Sequence, residues 1–207
     1  MIRSNLKLTG YHKLLLQFLI LATALVIIYA VTTRDQEQVQ INPQNASADS
    51  LEEIIAKSEF IEAQVEKIID GDTINVKIGD HSNIPVRFLG VDTPECFDNS
   101  KARKDATKEK ISIEKICERG RLAKSFTCSI LHTGEKIKLE LDKEKWDRYN
   151  RLLAYVLLAD NRMLNKIILE EGFAKLMIYG RNRKYSKEFR SLEEKAKSKN
   201  KGLWGKN

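Results

Sequence analysis

The chain has 207 residues, room for one ordinary domain and an appendage but hardly for two hydrophobic cores. Its 42% hydrophobic and 31% charged residues are the balance of a globular protein. Lysine and arginine number 36 against 29 acids, and the net charge of +7 suits a polyanionic partner, either nucleic acid or an anionic membrane face. Cys96, Cys117 and Cys128 lack the close spacing of a zinc site, and no pair of histidines complements them. In an oxidising compartment two of the three could form a disulfide, without spacing to say which.

In chain order, residues 1–13 carry Arg3, Lys7 and Lys13, and Leu14 to Val31 is apolar except at Gln17, Thr23 and Tyr29. As a helix that segment spans about 27 Å, close to the thickness of a bilayer's hydrocarbon core. The basic residues ahead of it place residues 1–13 in the cytoplasm and everything after it outside. It reads as a transmembrane signal anchor, with a cleaved signal peptide as the alternative; either way the domain is exported. Residues 32–58 form a polar linker, in which Ser50 and Glu53 have capping-box spacing ahead of a short helix, Leu51 to Lys57.

The globular domain covers residues 59–207. Val65, Ile68, Ile74, Val76 and Ile78 flank an Asp70-Gly71 turn, a hairpin signal, and Pro85 to Leu89 reads as a third strand. Phe97 to Glu118 is charged and lacks an apolar stripe, so it reads as an exposed loop with some helix. Leu122, Ala123, Phe126 and Ile130 recur at helical spacing. Ile137, Leu139 and Leu141 alternate as a fourth strand, and Leu152 to Leu158 is a fifth. Leu164, Ile167 and Ile168 face one side of a helix that Gly172 can end. Tyr185, Phe189, Leu192 and Ala196 stripe the last helix, with Leu203 and Trp204 docking behind it. The expectation is an α+β fold: a five-stranded barrel with about three helices.

Three short segments carry chemistry: Asp70-Gly71-Asp72-Thr73, Arg87 through Glu95, and Asp147-Arg148-Tyr149-Asn150-Arg151. Asp72, Asp92 and Glu95 offer hard carboxylate oxygens in loops at strand ends, the donors a calcium ion prefers. Pro94 stiffens the turn between the last two. Arg87 and Arg151 supply planar forks that match phosphate oxygens. Carboxylates for a metal and a base beside two arginines meet the needs of phosphodiester hydrolysis, whose transition state gathers negative charge. Asp70 itself reads as a turn residue.

D-G-D-T, then R-x-x-x-V-D-T-P-E, then D-x-Y-x-R-x-L-A-Y, then L-E-x-x-A-K and G-L-W resemble the staphylococcal nuclease family in order and spacing, from about Phe60 to Trp204. The resemblance implies an OB-fold barrel with three helices that cleaves DNA and RNA with calcium, leaving 3′-phosphate ends. It implies Asp72, Asp92 and the carbonyl of Thr93 as calcium ligands, Glu95 as general base, and Arg87 and Arg151 on the scissile phosphate. Arg148 and Tyr149 would meet a terminal phosphate, and Tyr179 the substrate base. Asn150 stands where the best-known member has glycine. In the longer, more basic loop, Lys101, Arg103 and Lys104 are either contacts to the nucleic-acid backbone or solvated charges. The expected enzyme is a monomeric catalytic domain, tethered to the membrane, with no protein partner inferable. The rival reading is a catalytically silent OB module, or a tethered adhesin, that binds polyanions without cutting them.

Overall fold

The computed structural model describes residues 50–205, so the apolar segment 14–31 and most of the polar linker lie outside the described residues. Among the described residues no helix is long and apolar enough to cross a membrane. Ser50 caps α1 (Leu51–Lys57), its Oγ accepting the Glu53 N–H at 3.3 Å, while the Glu53 carboxylate pairs with Lys57 one turn on.

Alternation then takes over. In β1 (Phe60–Ile68), Ile61, Ala63 and Val65 point inward and are buried, while Glu62 and Gln64 face water. β2 (Thr73–Ile78) and β3 (His81–Phe88) continue the meander. After a short β4 (Gly90–Asp92), two helices intervene before β5 (Lys136–Trp146) and β6 (Leu152–Leu157) return to the sheet. β1 pairs with β5 and β5 with β6, both antiparallel. β3 and β6 run parallel, with Val86 opposite Leu152 and Arg87 opposite Leu153. That last pairing closes a five-stranded barrel with strand order β1-β2-β3-β6-β5, as in an OB-fold, and removes the sheet edges. Its interior is filled by Ile74, Val76, Val86, Leu139, Leu152, Val156 and their neighbours.

The segment expected as an exposed loop is largely helical. Asn99 caps α2 (Ser100–Glu109) and Ser112 caps α3 (Ile113–Ile130) through their side-chain oxygens. Ala102 and Ala106 of α2 pack on Ile116 and Cys117 of α3 in a small second core. Two of these four buried residues are alanines, so the stripe is too weakly apolar to stand out in the sequence. In α3, Ala123 is buried and Phe126 and Ile130 pack on the barrel, but Leu122 faces solvent. Cys96, Cys117 and Cys128 are free thiols.

α4 (Leu164–Glu170) is tied to the barrel by buried Asn165, which donates to the Leu89 carbonyl and accepts from the Val156 N–H, both at 2.8 Å. Gly172 then turns the chain at φ +76° into β7 (Lys175–Met177), which pairs with β4. α5 (Ser186–Ser198) buries Phe189 and Ala196, and the final turn Gly202–Trp204 seats Leu203 behind it. The described residues thus hold five α-helices: the short α1 and the added α2 account for the excess over three.

α3 is the strut beneath the acidic turns. Its Thr127 hydroxyl donates to the Gly71 carbonyl at 2.8 Å. Its Gly120 lies so close to the Glu95-Cys96 backbone that an added Cβ would sit 2.2 Å from the Glu95 carbonyl oxygen. Gly120→Ala must push helix and loop apart. We expect a loss of about 2 kcal/mol, read as a lower denaturation midpoint in urea with an unchanged slope.

Candidate active site

Asp72 starts from a tight turn, where the Asp70 carboxylate accepts the Asp72 N–H at 3.0 Å. This placement fits Asp70 as a turn residue. Burial, then the charge of Asp72, pushes its pKa up to about 7. Asp72 is buried, and its Oδ2 accepts the Thr93 N–H at 2.6 Å and the Thr93 hydroxyl at 3.0 Å, while Oδ1 accepts the Thr73 hydroxyl at 3.1 Å. Arg87 lies against the same carboxylate, Nη1 to Oδ2 at 3.0 Å, and its Nη2 reaches Asp92 Oδ1 at 3.0 Å. Nη1 also donates to the carbonyls of Val91 at 2.9 Å and Phe88 at 3.2 Å. Strand β3 carries Arg87 opposite Thr73 on one side and Leu153 on the other, so a buried guanidinium is clamped between the two acidic turns.

A second cation joins them. Lys101, in the first turn of α2, places Nζ 3.4 Å from Asp92 Oδ1, 3.3 Å from Glu95 Oε1, 3.3 Å from the Thr93 carbonyl oxygen and 3.2 Å from Asp105 Oδ2. Burial alone would lower the lysine's pKa; Asp92, Glu95 and Asp105 outweigh it and hold the ammonium above the ordinary lysine range. Asp92 is shifted the other way, upward, by burial first, with Lys101 and Arg87 opposing. Glu95 also accepts from the Asn99 amide at 2.8 Å. Lys101, expected either on the nucleic-acid backbone or in solvent, instead folds onto the acidic turn, and Asp105 was not singled out in the sequence; the one available signal is their i, i+4 spacing. Arg103 instead pairs with Asp98 at 2.7 Å on the surface.

Among the described residues, no three carboxylate, imidazole or thiolate side chains form a ready metal cage. The donor chemistry nonetheless fits a hard cation. The oxygens of Asp92, Thr93, Glu95 and Asp105 surround one point, and that point is held by a positive charge. Asp72 faces Arg87 and Thr93 and is not among Lys101's partners.

The third segment forms its own cluster. Asp147, buried at the end of β5, accepts the N–H groups of Tyr149 at 2.8 Å and Arg151 at 3.0 Å on Oδ1, and the Arg151 Nε at 2.7 Å on Oδ2. Asn150 takes the left-handed conformation at φ +57°, which asparagine tolerates almost as glycine does. Tyr149 is exposed, with the Arg148 and Arg151 guanidinium carbons 4.8 and 5.4 Å from its ring centre. The Arg148 Nη2 also donates to the Tyr149 hydroxyl at 2.7 Å. The turn leads into β6, whose first residues pair with Val86 and Arg87; that register ties the cluster to the strand carrying Arg87. Tyr179 sits after β7, half-buried against the barrel and bridged to Asn182.

A closed five-stranded barrel of OB-fold type, with a carboxylate cluster gathered around the guanidinium of Arg87 where β2, β3 and β4 meet, is the class of protein that fold and site define. The sequence profile of the staphylococcal nuclease homologue family matches residues 85–206. The chain is 36% identical over 142 residues to the thermonuclease of Staphylococcus hyicus, covering 68% of this chain and 74% of that one. The thermonuclease of Staphylococcus intermedius is 34% identical, with the same coverage of each chain. The SPbeta prophage-derived endonuclease YokF of Bacillus subtilis is 33% identical over 72% of this chain, but the match spans only 46% of YokF. The chain belongs to the staphylococcal nuclease family.

Burial pushes the Asp147 carboxyl up, but the N–H groups and guanidinium it binds outweigh that and hold it below the usual aspartate range. A depressed pKa stabilises the fold above the unfolded value, and that contribution fades as pH falls through the lowered one. Asp147→Ala is therefore expected to cost about 2 kcal/mol at pH 7. The gap to the natural protein should narrow below pH about 4 in pH-dependent denaturation.

Proposed function

We propose that this chain is a calcium-dependent nuclease that hydrolyses phosphodiesters of DNA and RNA to leave 3′-phosphate ends, acting outside the cytoplasmic membrane from an N-terminal anchor or as a secreted enzyme. The observation that supports it most is the ring of hard oxygens from Asp92, Thr93 and Glu95 beside the buried Arg87. Asp92 and the Thr93 carbonyl would hold the metal, with Asp72 as the ligand that the family resemblance adds. When bound there, calcium would supply positive charge and polarise a water for attack on phosphorus.

The chain's own residues do the rest. Glu95, whose side chain is partly exposed beside Asp92, takes the proton from the attacking water. Arg87 balances the negative charge gathering on the phosphorane oxygens from a position fixed by two main-chain carbonyls, so it reorganises little during reaction. Arg151, held by Asp147, offers a second guanidinium to the same phosphate, and the exposed Tyr149 with Arg148 takes a neighbouring one. Tyr179 would lie against the base. The +7 charge of the chain draws the polyanion in.

Arg87→Ala is a poor test, because it leaves Asp72 and Asp92 buried without their counter-ion and weakens the fold as well as the chemistry. Glu95→Gln is cleaner. The full chain in non-ionic detergent should cut single-stranded DNA with calcium and stop in excess chelator. Glu95→Gln should be slower by about a hundredfold with an unchanged circular dichroism spectrum. Tight binding to DNA without cleavage at any calcium concentration would identify a silent binding module instead.

A further inference from the structure

We infer that Lys101 is a built-in competitor of the metal: its ammonium occupies the oxygens of Asp92, Thr93 and Glu95 until a divalent cation displaces it onto Asp105. The inference rests on the calcium reading above. Its first support is position, since Lys101 Nζ lies within 3.4 Å of two of the proposed ligand residues and of the proposed base at once. A divalent ion ringed by those oxygens would stand where the ammonium now sits, so binding one requires release of the other.

The second support is the contrast with the site's other cation. Arg87 is buried, its side chain 9% exposed, and main-chain carbonyls anchor it; it has nowhere to go. The Lys101 side chain is 38% exposed and flexible, and Asp105, one turn along the same helix, already binds Nζ at 3.2 Å. Letting go of Asp92, Thr93 and Glu95 while keeping Asp105 takes side-chain rotation within α2 and no backbone change. While the metal is absent, the ammonium keeps Asp92 and Glu95 from repelling one another; when metal binds, Asp105 keeps the displaced charge paired. The result is a site that stays ordered without metal at the expense of affinity, so that metal concentration sets the fraction of chains competent to cut.

Calorimetric titration of calcium chloride into the full chain, in non-ionic detergent and without substrate, tests this in the natural protein, Lys101→Met and Lys101→Arg. Lys101→Met keeps the stem and removes the charge, and should tighten calcium binding by about tenfold, a typical coupling between competing sites. Lys101→Arg keeps a cation and should not tighten it. Equal or weaker binding by Lys101→Met overturns the inference, as does equal tightening by both variants. If the natural protein binds calcium and Lys101→Met matches it, only the role of Lys101 falls. If neither binds calcium, the calcium reading falls and takes this inference with it.

Discussion

The whole site depends on one buried carboxylate, Asp72. An unpaired charge in that position would cost several kcal/mol, so its surroundings are arranged to satisfy it. Thr73 donates from the start of β2, Arg87 from the end of β3, and Thr93 twice from the turn beyond β4. Three stretches of chain are therefore held in register by a single side chain. The turn that carries Asp92, Thr93 and Glu95 takes its position from those bonds as much as from Pro94. Below it, Gly120 and Thr127 of α3 press against both acidic turns, so the site rests on helix and barrel together.

Around that anchor the charges are uneven. Among the described residues, Asp72, Asp92, Glu95 and Asp105 make their ion pairs with Arg87 and Lys101, and Asp70 adds a fifth carboxyl beside them, in a chain whose total charge is positive. The local excess of carboxylate favours a small multivalent cation, while the basic remainder favours a long anion. The two resident cations divide the work by mobility: the guanidinium is pinned by carbonyls, and the ammonium hangs from a flexible stem at the rim.

β1 and β5 were legible because they alternate: Ile61, Ala63 and Val65 in β1 and Ile137, Leu139 and Leu141 in β5 leave little choice of face, while β6 was legible as an unbroken apolar run. The short β4–β7 pair was not, since three-residue strands carry too little pattern. α2 and the start of α3 were missed because their packed face includes Ala102, Ala106 and Cys117, small residues that no hydrophobic stripe announces. Site residues could be named by chemical type, but not their partners. Nothing in the sequence shows that Arg87 is taken up by Asp72 and Asp92, or that Lys101, expected on a solvated loop or a nucleic-acid backbone, folds back onto the acidic turn. Those pairings depend on tertiary distances that spacing along the chain does not encode.

The parallel pairing of β3 with β6 has a consequence for the order of folding. The meander of β1, β2 and β3 forms from local contacts, and it already contains Asp72 and Arg87. Pairing Val86 with Leu152, or Phe60 with Glu140, must close long loops first and so belongs to the late, slow part of the reaction. Until then water reaches the Asp72–Arg87 pair, and a hydrated ion pair holds its partners only weakly. Barrel closure is the step that dries it. A nascent chain would thus carry its acidic and basic residues early and gain a fixed electric field only with the last strand.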